Sequence, residues 1–243
     1  MKVAVITPTI NSEHLSKCLS SVSQQTYDDI VHYVVVDGNQ HRSAIEKISM
    51  YEHTSSIILE ENIGKGWYGH RVYAASPYLV NADVVCFLDE DNWFKSNHIE
   101  TMVKTLEKSK TPWCYSLRDI HGKNGEFLLP DNCESLGKWK AFTDYSHIDT
   151  SCYAIKTEAL LGISHGWYGK WGADRQFYST LQKYRPEYEC TREHTVCYRL
   201  DGNEGSVKED FFRRGNEITK QKYIDGYPWE TWENKEEYIT LTW

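Results

Sequence analysis

The chain has 243 residues, 40% of them hydrophobic, which is enough for one large α/β domain with its own core. No apolar run approaches the roughly 18 residues that cross a bilayer, and a net charge of −8 argues against a broad basic face for nucleic acid. Seven cysteines, an odd number with no C-x-x-C pair, argue against a disulfide framework.

The chain opens with the β-branched run Lys2–Thr7, which reads as a strand covered on both faces. Thr7 and Pro8 interrupt it and no small-residue cleavage site follows, so it is not read as a signal peptide and the protein is expected in the cytoplasm. Asn11 and Ser12 can cap a helix carrying Leu15, Cys18, Leu19 and Val22 on one face. A second apolar strand, 31–37, ends in Asp37. A weaker helix over about 42–50 leads to a strand at 55–60. The turn Asn62-Ile63-Gly64-Lys65-Gly66 precedes a helix over about 67–80. The strand 83–91 then runs directly into Asp89-Glu90-Asp91, and helical spacing resumes at Ile99, Met102, Val103 and Leu106.

That βαβαβαβα order predicts a mostly parallel sheet with helices on both sides. In such sheets ligands gather beyond the carboxyl ends of the strands, where Asp37 and the Asp89–Asp91 cluster stand. After residue 110 the pattern changes to a hairpin, with strands at 113–117 and 127–129. Residues 130–173 read as irregular and aromatic, a helix starts near Asp174, and a late strand covers Thr195–Leu200. Ser206-x-x-Glu209 reads as a capping box opening a polar helix to about residue 223. The last twenty residues are too aromatic for a solvated tail and are expected to dock.

Three consecutive acids at a strand end repel one another unless a cation sits nearby, and hard oxygen ligands suit Mg²⁺ or Mn²⁺ on a nucleotide's phosphates. The same acids could form a solvated turn capping the next helix. Cys190, His194 and Cys197 match no common zinc spacing. The aromatic content suits sugar rings and cores alike.

Taken in order, Thr7-Pro8-Thr9-Ile10-Asn11, Cys18–Val22, Gln25-Thr26-Tyr27, Val35-Val36-Asp37-Gly38, Asn62-x-Gly64 and the Asp-x-Asp resemble the family 2 glycosyltransferases. The likeness is close over about 3–95 and loose over 145–200. It implies the GT-A fold, a Rossmann-like nucleotide-diphospho-sugar transferase architecture with a mostly parallel central sheet flanked by helices. Residues 1–110 would be the donor-binding half and 111–205 the acceptor-binding and catalytic half of one domain. Residues 206–243 would form a C-terminal helix and aromatic tail.

Carried over position by position, the resemblance makes Pro8, Thr9 and Asn11 the first nucleotide-binding loop and Asp37 the acid facing base or ribose. Lys65 and Arg71 become cations for the nucleotide or its phosphates, although this chain has His70-Arg71-Val72 where Ala-Arg-Asn is commoner. Asp91 matches the principal metal ligand, with Asp89 near the ribose or metal. Glu90 occupies a position where small residues are commoner. Asp174 matches the base that deprotonates the acceptor; a helix-capping aspartate is the plain alternative. Trp167, Tyr168 and Trp171 could form a sugar platform or simply pack. Asp149 is a further acceptor-side candidate, and His194 lies where many GT-A enzymes place a late metal-binding histidine.

The implied reaction is inverting transfer of a hexose from a nucleotide-diphosphate sugar, with uridine diphosphate as carrier and glucose or galactose as sugar. It would use Mn²⁺ or Mg²⁺ and an acceptor that could be a glycan, lipid, protein or small molecule. A sugar nucleotidyltransferase would need a glycine-rich basic loop after the first strand, where this chain has Thr-Pro-Thr-Ile-Asn. A dinucleotide-dependent oxidoreductase would need G-x-G-x-x-G there. A non-catalytic carbohydrate- or nucleotide-binding protein on the same fold is the remaining alternative, opposed by the presence of Asp37, Asp91 and Asp174.

Overall fold

A computed structural model describes residues 1–139, 142–200 and 207–230. The first half is a parallel βα succession: β1 (Val3–Thr9), α1 (Leu15–Ser23), β2 (Ile30–Val36), α2 (Ala44–Ile48), β3 (Thr54–Ile58), α3 (His70–Leu79), β4 (Val84–Phe87). β2 pairs β1 and β3, and β1 pairs β4, all in parallel, with Val3 opposite both Ile30 and Val84. Helices cover both faces, which is why β1 and β4 are buried at nearly every position instead of alternating. The helix faces follow the expected spacing. α1 buries Leu15, Cys18, Leu19 and Val22, and α4 (His98–Ser109) buries Ile99, Met102, Val103 and Leu106.

The second half enters the same sheet. β5 (Trp93–Phe94), β6 (Trp113–His121), β7 (Phe127–Pro130), β8 (Tyr153–Lys156) and β9 (Tyr188–Arg199) extend it in the order β3-β2-β1-β4-β8-β6-β9-β5, with β7 paired to β6. β8 is antiparallel to both β4 and β6, whereas β9 runs parallel to β6. One continuous core results, with the fully buried Phe87, Trp113, Tyr153, Trp167 and Phe177 at its centre.

Three elements differ from the sequence reading. The stretch 130–173 contains β8 and the short helix α5 (Thr157–Leu161), because a four-residue strand buried on both faces leaves no period to detect. The late strand begins at Tyr188, seven residues early. Its first half carries Glu189, Arg192 and Glu193, and a bulge at Arg192 (φ 66°) breaks the alternation. Helix α7 spans Glu209–Lys222 with Lys208 at its N-cap, so Glu209 begins the helix, and it pairs with Arg213 at 2.6 Å. Ser206 lies outside the described residues, as do Trp232, Tyr238 and Trp243 of the aromatic tail. Within the described stretch of that tail, Trp229 is buried, stacks on Tyr227 and donates to Asn132 Oδ1 at 3.1 Å.

Candidate active site

The parallel strands β1, β2 and β4 end side by side, bringing Thr9, Asp37 and Asp89–Asp91 to one edge of the sheet. Helix α6 (Ala173–Tyr184) presents its first turn, with Asp174, to the same space. Together they line a cavity of about 570 Å³, whose walls include Pro8, Thr9, Asp37, Lys65, Asp89, Glu90, Asp91, Asp149, Trp171 and Asp174. All of these were singled out from the sequence; the other candidates, Asn11, Arg71, Trp167, Tyr168 and His194, stand outside the cavity wall.

Glu90 organises the first loop. Its carboxylate accepts from Thr9 Oγ1 at 2.5 Å and from the backbone amides of Ile10 and Ser12 at 3.1 and 3.0 Å. Three donors on one carboxylate explain a glutamate at the middle of the acidic triplet, since a small residue could not reach the loop. Asn11 takes the left-handed conformation (φ 63°) and donates to Ser43 Oγ at 2.9 Å; it shapes the loop but does not line the cavity. Asp37 organises the neighbouring turn in the same way. It is 3% exposed and accepts from the amides of Ile63 and Gly64 at 2.8 and 2.7 Å, which pins the Asn62-x-Gly64 turn to the end of β2. A Cβ on Gly64 would lie 2.3 Å from Asp37 Oδ2, so a side chain there would displace either the turn or the carboxylate.

Arg71 is a correction to the expectation from sequence. Its guanidinium lies over the Trp67 ring at 3.9 Å and reaches the Ile63 carbonyl at 3.4 Å, bracing the turn from behind, outside the cavity wall. Lys65 lines the cavity instead.

Asp89 accepts from the Tyr73 hydroxyl at 2.6 Å. Burial, then the neighbouring Asp91 and Asp149 charges, push its carboxyl well above the usual carboxylate range. Burial and Glu90 raise Asp91 to about 6. Two desolvated carboxyls that resist joint ionisation favour a cation between or beside them. Among the described residues no three acidic, histidine or cysteine side chains converge to cage an ion. The donor set therefore fits a hard divalent ion that takes its other ligands from phosphate oxygens and water.

On the opposite wall Asp174 accepts from His147 Nε2 at 2.6 Å and from the Arg175 amide at 2.8 Å. Burial alone would raise Asp174, but the bond and charge of His147 hold it at about 2. Burial opposes the charge on His147, yet the same contact raises its pKa above the ordinary imidazole value. The contact thus favours the carboxylate–imidazolium form of the pair. Behind it stands Arg118 on β6, 2% exposed, whose guanidinium binds Asp131 (2.8 Å), Glu134 (2.6 Å) and Asp149 (2.5 Å). Asp149 also accepts from the Ser151 amide at 2.9 Å, so both its oxygens are engaged while it lines the cavity.

The aromatic candidates separate. Trp171 is 68% exposed at the cavity rim. Tyr168 is exposed but packs its ring on Trp67, away from the cavity wall. Trp167 offers no platform: it is fully buried and stacked on Phe177 at 4.1 Å, because the core between α3 and α6 needs its volume. His194 does not join the acids. It sits on β9 opposite Leu117 and outside the cavity wall; burial lowers its pKa. The sequence reading assigned no role to Arg118 or His147. The available signals were an arginine within the apolar run 113–120 and a histidine two residues before Asp149.

The sequence model of glycosyl transferase family 2 matches residues 4–160, spanning β1 through β8 and most of α5. The chain belongs to that family. Among family relatives, Glycosyltransferase GlyA of Streptococcus pneumoniae is 34% identical over 110 residues, covering 43% of this chain and 15% of that protein. An N-acetylglucosaminyltransferase of Rhizobium meliloti is 33% identical over 97 residues, covering 37% of this chain and 22% of that protein. The chain therefore spans well under half the length of these curated relatives. Among solved structures, TarS 1–349 of S. aureus matches with TM-score 0.63 at 16% identity, covering 82% of this chain and 60% of that one. TarS 1–349 in complex with UDP-GlcNAc matches with TM-score 0.61 at 15% identity, covering 93% and 67%. These likenesses establish the GT-A fold for the family 2 chain. No helix among its described residues is long and apolar enough to cross a membrane.

Proposed function

We propose that this family 2 chain transfers a sugar from a nucleoside-diphosphate donor to an acceptor hydroxyl, with inversion at the anomeric carbon. The observation that carries the reading is one cavity holding Asp37 and the Asp89/Asp91 pair on one side and the Asp174–His147 pair on the other. The UDP and UDP-GlcNAc complexes of TarS favour a uridine diphosphate donor. The sugar is a hexose or N-acetylhexosamine, since that complex and the Rhizobium relative's name add the second to the glucose or galactose expected from sequence.

The loop fixed by Glu90 and the turn fixed by Asp37 form the nucleotide's bed, and Lys65 supplies a cation for the phosphates. Asp91, with Asp89 beside it, would hold Mn²⁺ or Mg²⁺, which when bound supplies positive charge against the departing diphosphate. Asp174 accepts the acceptor's proton as the hydroxyl oxygen bonds to the anomeric carbon and the bond from that carbon to the diphosphate oxygen breaks. His147 positions the carboxylate through Nε2.

Calorimetric titration with UDP, in Mn²⁺ and then in EDTA, tests the donor half. Binding should require metal and weaken from pH 7 to pH 5, because Asp91 with a pKa near 6 must lose its proton to bind a cation. Equal binding in EDTA, or a flat pH response, would contradict the metal role.

A further inference from the structure

Helix α6 lines a second concavity with the face that starts at Arg175. Arg175, Tyr178, Ser179, Gln182 and Lys183 recur at i, i+3, i+4, i+7 and i+8, the spacing of a single helical face, and together they form one side of a cavity of about 710 Å³. Lys138, Tyr145 and Tyr188 line it as well. Arg175 lines both cavities, which places the second next to the proposed base.

The lining has the chemistry of an acidic saccharide site. Tyr145 and Tyr188 contribute half-buried ring edges, their hydroxyls bonded to Glu134 and Tyr178, and serine and glutamine add short polar groups. The charged side chains of the lining are all cationic: Lys138, Arg175 and Lys183. Lys138 is ion-paired with Glu189 at 2.6 Å. Among the described residues neither Arg175 nor Lys183 has a carboxylate partner within ion-pair distance; Arg175 stacks on the Tyr145 ring at 3.5 Å and Lys183 lies near that of Tyr184 at 4.9 Å. Gln182, half-buried between them on the helix, adds an amide to the same lining. From Asp174 to Lys183 the helix rises roughly 14 Å, so a ligand spanning both is longer than one sugar ring.

We infer that this cavity is an acceptor-extension site for an oligosaccharide bearing carboxylate or phosphate groups, whose reactive end lies at Asp174. The inference rests on the proposed transfer at Asp174 and adds the acceptor's chemical class. Arg175 holds an anionic group nearest the reacting hydroxyl, and Lys183 holds one further along the helix.

The test is calorimetric titration of the full chain with trigalacturonate, glucose 6-phosphate and maltotriose, and separately with UDP and Mn²⁺. Trigalacturonate or glucose 6-phosphate should bind at least tenfold more tightly than maltotriose, and which of the two binds identifies carboxylate or phosphate as the recognised group. Lys183→Glu, at an exposed position, should weaken that binding by roughly tenfold and leave UDP binding unchanged. Gln182→Leu should weaken it without altering its salt dependence. Maltotriose binding as tightly as the acidic probes, or acidic binding indifferent to Lys183→Glu, would overturn the inference. So would failure of both acidic probes to bind a protein that binds UDP. Loss of UDP binding with acidic binding retained would instead overturn the donor-site reading alone.

Discussion

Replacing Arg118 with methionine removes the one cation shared by Asp131, Glu134 and Asp149 and leaves three carboxylates together inside the protein. Breaking a buried pair from one side costs about 3–5 kcal/mol. The carboxylates have one way to limit that cost, which is to take up a proton. Protonating one at pH 7, roughly three units above its ordinary pKa, costs about 4 kcal/mol, falling to about 1.5 kcal/mol at pH 5. The variant should therefore lose about 4 kcal/mol of stability at pH 7 and markedly less at pH 5. In thermal terms the loss at pH 7 is about 8–16 °C for a chain of this size. In the native protein burial opposes ionisation of Asp131, but Arg118 and backbone amides outweigh it and hold the carboxyl below its ordinary value. Its contribution is thus full above pH 3.8 and is lost only as pH falls through the depressed value, so the pH 5–7 trend belongs to the variant. Urea unfolding of both proteins at pH 5, 6 and 7 measures the difference. A loss under about 1 kcal/mol, or one that does not shrink toward pH 5, would refute the reasoning.

Gly64→Ala puts a Cβ 2.3 Å from Asp37 Oδ2 and must displace either the turn or the carboxylate; UDP affinity should fall about tenfold with Tm lowered by only a few degrees. His147→Gln removes the ion pair with Asp174, whose shift from 3.8 to about 2 corresponds to about 2 kcal/mol. Because Asp174 is depressed and His147 raised, that contribution is present between about pH 4 and 6.5. It fades as pH rises through the raised His147 value and as it falls toward 2. Chemical denaturation should show the largest penalty near pH 5 and a smaller one at pH 9.

The donor half was legible because its physics is local. Val3–Ile6, Ile30–Val36 and Val84–Phe87 lie in largely apolar runs, the last two leading into acids, and parallel strands must end at one edge. The acceptor half was not. β8 is too short to show a period, and β9 hides its register behind a bulge. Individual side chains were harder still. Whether a tryptophan forms a platform or a core depends on what lies behind it, and Trp167 met Phe177 while Trp171 met solvent. Arg71 turned to Trp67, and Arg118 became visible as a hub only once the Asp131–Glu134 turn and Asp149 were brought to it from two places in the chain.

The central claim is that Asp174 acts on the acceptor while the opposite wall holds the donor. It is tested most directly by Asp174→Asn, assayed for release of UDP from UDP-sugars and, by calorimetry, for UDP binding with Mn²⁺. The account predicts UDP release reduced at least a hundredfold, with UDP affinity within about twofold of the native protein. Turnover near the native rate, or turnover and UDP binding lost together in a folded variant, would contradict it.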